Sequence, residues 1–120
     1  MRALFDSNIL IDYLNGLQAA HAELHRYDQP AISVVTWIEV LVGAKPAEEG
    51  LTRRFLAAFE QIGVTAKIAE RAVTLRKVDR MRVPDAIILA TAQTENILLV
   101  TRDTKEFSSD MPGIRIPYEL

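Results

Sequence analysis

The chain has 120 residues, enough for one domain with a substantial core, so we expect a single domain over residues 1–120. Hydrophobic residues make up 49% and charged residues 25%, as in ordinary globular proteins, and the absence of cysteine excludes disulfides, zinc–thiolate sites and cysteine nucleophiles. The formal net charge of −2 does not by itself indicate a nucleic-acid-binding protein, and no apolar run approaches the ~18 residues of a membrane span, so the default expectation is a cytoplasmic protein.

The predicted elements alternate between strands and helices from the first residues onward. In chain order, strands are predicted at residues 3–5, 31–34, 62–64, 97–100 and 114–116. Helices are predicted at residues 7–14, 17–27, 36–43, 46–59, 66–81 and 85–94. The run ILLV at 97–100 is continuously apolar, as in a parallel strand covered on both faces. This alternation predicts an α/β sandwich with a mostly parallel central sheet.

Four acidic residues stand at corresponding places behind these strands. Asp6 follows the first strand directly, and Asp103 follows the strand at 97–100 closely. Glu39 is placed in the first turn of the helix after the second strand, and Asp85 in the first turn of the apolar helix behind Pro84. In open α/β sheets the ligand crevice lies outside the carboxyl ends of the strands. Acids that meet there repel one another unless a cation lies between them, and carboxylates suit Mg²⁺ or Mn²⁺.

Helix capping is a second explanation for each of these acids. Asp6 and Asp103 have the character of N-cap residues, and acids are favoured in first helical turns. Residues 36–39 (TWIE) fit the capping-box pattern, in which Glu39 bonds back to the Thr36 amide. Asp103 begins a looser pattern of this kind. Taken together, with apolar strands leading into three of the acids, the pattern favours a shared site.

A basic segment lies between Lys67 and Arg82, where six basic residues face two acidic ones. A solvated helix face explains such a segment, because charged helix faces are common. The alternative is a track for the phosphate backbone of a nucleic acid. In that case the contacts would come from the end of the segment, at Arg76, Lys77, Arg80 and Arg82.

Four motifs resemble those of the PIN-domain family, and within it the small VapC-type toxins of bacterial toxin–antitoxin pairs. They are LFDSNILIDYL at 4–14, SVVTWIEVLVG at 33–43, RVPDAIILATA at 82–92 and LLVTRDTKEF at 98–107. The motifs occur in the family's order and span nearly the whole chain. Each is weak alone, but four in order within 120 residues are specific.

The resemblance implies a PIN-like α/β/α sandwich and assigns the site residues. The family's acidic set matches Asp6, Glu39, Asp85 and Asp103, with Asp6 and Asp85 as the first choice for direct metal ligands. Asp103 would complete the site or position the attacking water, and Glu39 would ligate the metal or activate water. The polar positions that orient the acids match Ser7, Asn8 and Thr101. Glu106 stands where some members place a further acid, and either water-mediated ligation or capping would explain it.

The activity implied by the resemblance is that of an endoribonuclease that uses Mg²⁺ or Mn²⁺. Such cations lower the pKa of water, neutralise charge on the scissile phosphate and stabilise the departing 3′-oxygen. No histidine or lysine is placed to act as a general base, which also favours metal-assisted hydrolysis. Products with 5′-phosphate and 3′-hydroxyl ends are expected.

Partners are implied by the same resemblance. We expect an RNA substrate, a homodimer and a VapB-like antitoxin. An apolar helix of the antitoxin would occupy the groove beside the early helices, where Tyr13, Leu14, Leu17 and Trp37 supply large apolar groups, although core packing is the ordinary role of most of these. A basic residue of its tail would then enter the acidic crevice.

Three other classes of protein compete with this interpretation. A haloacid-dehalogenase-type phosphatase also begins with an Asp at a strand end, but it needs a second Asp where this chain has Asn8. A phosphoreceiver domain would need a phosphoacceptor Asp on a middle strand and a Lys near the last strand, and neither is evident. A degenerate PIN module would bind RNA or a partner without cleaving RNA, but the acidic set is intact.

Overall fold

The fold alternates five strands with helices, and a computed structural model describes all 120 residues, Met1–Leu120. The strands are β1 Arg2–Phe5, β2 Gln29–Ser33, β3 Glu60–Ile62, β4 Leu98–Val100 and β5 Ile114–Arg115. The helices are α1 Ser7–Leu14, α2 Gln18–Leu24, α3 Val34–Val42, α4 Glu49–Leu56, α5 Ala66–Asp79 and α6 Val83–Glu95, with a short 3₁₀ helix at Pro46–Glu48.

The central sheet has the strand order β3-β2-β1-β4-β5, and every neighbouring pair is parallel. The prediction of an α/β fold with a mostly parallel sheet is therefore confirmed. The chain builds outward from β1 to β3 on one side and then returns to place β4 against the other side of β1. The direction of winding changes between β1 and β4, which is where ligands bind in open α/β sheets.

Each face of the sheet supports its own apolar core. Side chains alternate along β1, so Leu4 joins the cluster under α5 and α6, while Phe5 joins the cluster under α1 to α4. Leu99 and Val100 divide in the same way on β4. Because both faces are buried, these strands need continuous rather than alternating apolar sequence. The ends of β1 and β4 are therefore packed between two layers of helices.

Several predicted boundaries were wrong, each for a local reason. The helix predicted from residue 36 begins at Val34, because the Ser33 hydroxyl accepts a 3.1 Å hydrogen bond from the Val35 amide and ends β2. The strand predicted at 62–64 lies at Glu60–Ile62, where it pairs with β2. Its first two residues are exposed and polar, so the apolar sequence pattern placed the start of the strand two residues too late.

The remaining differences lie at helix ends. α2 is shorter than the predicted 17–27, and the predicted 46–59 helix is divided into the 3₁₀ helix and α4. α5 stops at Asp79 because Arg80 takes a left-handed conformation with φ 57°. α6 begins at Val83, two residues before the predicted start at 85, and includes Pro84 as its second residue. No helix has the length and apolar character needed to cross a membrane.

Candidate active site

The site is built where β1 and β4 end side by side. Phe5 and Val100 are paired in the sheet, and the Asp6 amide donates a 2.9 Å hydrogen bond to the Val100 carbonyl. Thr101, the residue directly after β4, donates a 2.8 Å hydrogen bond from its hydroxyl to Oδ2 of Asp6. The point where the winding of the sheet changes direction therefore carries a carboxylate.

Asp6 is almost fully buried, with 3% of its surface exposed. It is the N-cap of α1, and its Oδ1 accepts the Ser7 amide at 2.8 Å. Its Oδ2 accepts Thr101 and the Asn8 side-chain amide, the latter at 3.2 Å. Burial raises the pKa of Asp6 to about 6, although the Thr101 and Ser7 hydrogen bonds act in the opposite direction. The cap explanation and the site explanation therefore both apply to Asp6.

Glu39 reaches the same place from α3. Its Oε1 accepts a 3.0 Å hydrogen bond from the Ser7 hydroxyl, and its charge further raises the pKa of Asp6, whose rise is due mainly to burial. Glu39 lies in the second turn of α3 rather than in the predicted first turn, because the helix begins at Val34 with Ser33 as its N-cap, and the alternative explanation of Glu39 by a capping box is therefore wrong. Thr36 is inside the helix, with its hydroxyl buried and without a hydrogen-bond partner.

Asp85 stands in the first turn of α6 and is also buried. Burial raises its pKa, and the neighbouring charges of Glu106 and Asp103 add to that rise. Arg82 opposes it, because its Nε donates a 3.0 Å hydrogen bond to Oδ2 of Asp85. The Arg82 side chain is 71% exposed, so this cation sits at the mouth of the site rather than inside it.

Asp103 and Glu106 lie on a turn just after β4. Oδ1 of Asp103 accepts the Lys105 and Glu106 amides, both at 3.1 Å, as a capping residue would, but the turn does not continue into a helix. The Asp103 amide donates to the Thr101 hydroxyl at 3.1 Å. Glu106 accepts the backbone amide of Arg82 at 3.0 Å and so ties this turn to the start of α6.

The structure thus brings the sequence-predicted acids into one electrostatic neighbourhood. In addition to burial, the charges of Asp85 and Glu39 raise the pKa of Asp6. The charges of Glu106 and Asp103 likewise add to the effect of burial on the pKa of Asp85. The three polar residues named with them, Ser7, Asn8 and Thr101, all hydrogen-bond to Asp6, and Ser7 also bonds to Glu39.

The donor set fits a hard divalent cation, because it consists of carboxylates around a buried Asp6 whose negative charge lacks a paired cation. No group of three or more His, Cys, Asp or Glu side chains is already arranged around a common metal position. Asp85 is turned toward Arg82, and one oxygen of Asp103 is held by the turn amides. A cation on Asp85 would therefore compete with Arg82 for that carboxylate.

The basic residues predicted as a phosphate track differ in what they contact. Arg76 donates to the carbonyls of Arg80 and Met81, at 3.3 and 3.1 Å, and closes the end of α5. Lys77 and Arg80 are exposed. Arg82 is the member that touches an acid of the site, and sequence reasoning missed that contact. Its position three residues before Asp85, across a helix start, is the signal that would have indicated it.

The surface of the early helices was predicted to offer large apolar groups. Tyr13, Leu17 and Trp37 are half-buried and pack against the core below α1 to α4, so core packing explains most of that set. Leu14 is exposed. Further exposed apolar side chains on the adjoining helices were not predicted; they are Ile11 on α1, Ile38 and Val42 on α3, and Leu51 on α4.

The chain is similar to known proteins over most of its length. It is 37% identical over 112 residues to Ribonuclease VapC10 of Mycobacterium tuberculosis, with 87% of this chain and 84% of that protein covered. A solved toxin–antitoxin complex from Klebsiella pneumoniae contains a chain 48% identical to this one, with a TM-score of 0.93 and with 98% and 99% of the two chains covered.

A more distant structure shares the fold. It is VapBC2 from Rickettsia felis bound to a promoter DNA fragment, 24% identical with a TM-score of 0.75, with 95% of this chain and 96% of that chain covered. The family model of the PIN domain matches residues 3–109, a range that includes every acid described above. The chain therefore belongs to the PIN-domain family.

Proposed function

We propose that this protein is a VapC-like toxin, an endoribonuclease that hydrolyses RNA phosphodiester bonds with Mg²⁺ or Mn²⁺. The observation that carries the proposal is the buried Asp6 carboxylate, at the change of winding in the sheet, with Glu39 and Asp85 close enough to perturb it. Its similarity to a protein named as a ribonuclease and to a chain from a toxin–antitoxin complex supports the same activity. The whole of residues 1–120 forms the catalytic domain.

Asp6, Asp85, Asp103 and Glu39 are the residues that would hold the cation. A bound divalent cation supplies charge neutralisation at the scissile phosphate and activation of water. Asp6 is fixed by its hydrogen bonds to Thr101, Asn8 and the Ser7 amide, so it offers a preorganised acceptor. Glu39, whose Oε1 accepts the Ser7 hydroxyl, would accept a proton from water or ligate the metal.

Exposed cations around the mouth of the site are suited to the RNA backbone. Arg82 is paired with Asp85. When a metal ion binds to Asp85, the Arg82 side chain would be released and would contact a phosphate of the RNA. Arg76, Lys77 and Arg80 extend the positive charge along the end of α5. We assign these residues to binding rather than to chemistry.

The partner of this toxin is a VapB-like antitoxin, and the toxin itself pairs as a homodimer. The exposed apolar side chains of α1, α3 and α4 offer a surface for an apolar helix of the antitoxin. An arginine or lysine from the antitoxin would pair with the site acids and exclude the cation. Co-purification with the product of the neighbouring open reading frame tests this part, and sedimentation of the isolated chain tests the dimer.

One assay separates the proposed enzyme from its alternatives. Purified protein is incubated with structured RNA, with Mg²⁺ or Mn²⁺ in one arm and EDTA in the other, beside a DNA of the same sequence. Cleavage of RNA in the metal arm alone supports the proposal. Binding without cleavage supports a degenerate PIN module, and release of phosphate from a phosphate monoester supports a phosphatase.

A further inference from the structure

Asp12 forms a buried ion pair close to the acidic site but outside it. Asp12 lies on α1 and is 6% exposed. Both of its carboxylate oxygens accept from the guanidinium of Arg102, with Nη2 to Oδ1 at 3.0 Å, and Tyr118 donates its hydroxyl to Oδ2 at 2.8 Å. Although burial raises the pKa of Asp12, the hydrogen bonds from Arg102 and Tyr118 bring it below its ordinary value. We call these three residues the Asp12 clamp.

A second group of three residues repeats this arrangement elsewhere. Glu23 on α2 is 3% exposed and accepts two hydrogen bonds from the guanidinium of Arg115 on β5, at 2.6 and 2.9 Å. Tyr27 donates its hydroxyl to the same carboxylate at 2.8 Å. The two arginines are similarly exposed, at 31% for Arg102 and 34% for Arg115. We call these residues the Glu23 clamp.

The two clamps differ in the hydrogen bonds that the backbone of the arginine makes to the acidic site. The Arg102 amide donates to Oδ1 of Asn8 at 3.3 Å, and the Asn8 side-chain amide donates to both Asp6 and the Thr101 hydroxyl. Arg102 also stands between Thr101 and Asp103 in the chain. The carbonyl of Arg115 accepts the Thr101 amide at 3.0 Å, but that bond belongs to the backbone and does not involve the Glu23 clamp's side chains.

The segment after β4 needs such an anchor because it has no regular structure. Residues 101–106 leave the sheet and form only a turn, yet this segment carries Thr101 and Asp103 and places Glu106. A bidentate arginine–carboxylate pair fixes direction as well as distance, which a point charge does not. The clamp joins this segment to α1, the helix that Asp6 caps.

We propose that Arg102, held by Asp12 and Tyr118, is a positioning residue for the acidic site: it fixes Asn8, and through it Asp6, relative to Asp103. This inference rests on the proposed metal-dependent function. The Glu23 clamp is an ion pair of similar burial, built from an arginine and a tyrosine as well, and it serves as the control.

The experiment compares Arg102→Ala, Arg102→Lys and Asp12→Asn with Arg115→Ala, Arg115→Lys and Glu23→Gln. Each folded variant is titrated with Mn²⁺ without RNA, by electron paramagnetic resonance. Turnover of RNA then separates kcat from KM. A third readout, amide hydrogen exchange at Asp103, Lys105 and Glu106 in metal-free protein, is compared with the global stability of each variant. The Lys variants retain the charge and keep the test open where an Ala variant fails to fold.

We expect the Asp12-clamp variants to bind Mn²⁺ roughly tenfold more weakly and to lose kcat in proportion, as is typical when a residue that orients metal ligands is removed. KM for RNA should change little, whereas a phosphate contact by Arg102 would raise it. Exchange at the three amides should accelerate beyond the loss of global stability. Arg102→Lys should restore part of the affinity, and the Glu23-clamp variants should keep wild-type Mn²⁺ affinity and kcat.

The inference is overturned if both sets of variants show the same Mn²⁺ affinity and kcat, or if the three amides follow global stability alone. Failure of the proposed function itself would look different: the wild-type protein would neither bind Mn²⁺ nor cleave RNA, whatever the variants do.

Discussion

The hydroxyl of Ser7 donates a 3.0 Å hydrogen bond to Oε1 of Glu39, which joins the start of α1 to the second turn of α3 across 32 residues of sequence. The Ser7 amide binds Asp6 at 2.8 Å. Ser7 therefore holds two acids, one at the end of β1 and one inside α3. This contact explains why the sequence pattern around Glu39, which resembles a capping box, did not indicate its role.

Replacing Glu39 tests that conclusion. Glu39→Gln should lower RNA cleavage at least tenfold while changing the free energy of unfolding by no more than about 0.5 kcal/mol, because it caps nothing. Ser33→Ala is the matched control: loss of the true α3 cap should cost about 1 kcal/mol and leave kcat unchanged. The reverse pattern, a stability loss at Glu39 without loss of activity, would restore the capping explanation.

Thr36 gives an independent prediction about the same helix. Its hydroxyl is buried without a partner, so Thr36→Val removes an unsatisfied polar group at nearly constant shape. The free energy of unfolding should rise by about 1 kcal/mol, measured by denaturant titration. A capping role for Thr36 predicts a loss of similar size instead.

The fold was predictable from the sequence because it depends on local signals, and the candidate acids were chosen from the same signals together with the family motifs. Apolar runs such as ILLV indicated buried parallel strands, and each candidate acid followed such a run or began a helix. The contacts between these groups were not predictable. The Ser7–Glu39 bond and the Arg82–Asp85 pair depend on how α1, α3 and α6 are set against one another, and no local pattern encodes that geometry.

The raised pKa of Asp6 makes stability depend on pH in a definite direction. A carboxyl whose folded pKa is about 6, against an ordinary 3.8, binds more protons folded than unfolded between those values. The metal-free protein should therefore lose up to about 3 kcal/mol from this group as pH rises from about 4 to 6. Thermal unfolding in EDTA measures the change. Asp6→Asn should flatten the curve, and a wild-type slope in that variant would contradict the assignment.

Arg82 should compete with the metal for Asp85. Arg82→Gln removes the 3.0 Å partner of that carboxylate, so Mn²⁺ affinity in the absence of RNA should rise severalfold. KM for RNA should rise as well, since a phosphate contact is lost. Isothermal titration and steady-state kinetics measure the two effects. Weaker Mn²⁺ binding in this variant would show that Arg82 orders the site instead.

The exposed cations predict the salt dependence of RNA binding. Neutralising Lys77 or Arg80 should reduce the log–log slope of affinity against salt by roughly 0.7 for single-stranded RNA. Lys67→Gln, at the far end of α5, serves as the control. Arg76→Gln should also lower stability, because Arg76 bonds to the carbonyls that end α5. Unchanged slopes in the Lys77 and Arg80 variants would show that this surface is a solvated helix face.

The most direct test of the central claim is metal-dependent RNA cleavage by the wild-type chain beside Asp6→Asn and Asp85→Asn. We predict that the wild type cleaves RNA with Mg²⁺ or Mn²⁺, gives 5′-phosphate and 3′-hydroxyl ends, and stops in EDTA. Both variants should remain folded by circular dichroism and fail to cleave. Cleavage by either variant at a rate comparable to the wild type, or cleavage that persists in EDTA, would contradict a metal site built on these two acids.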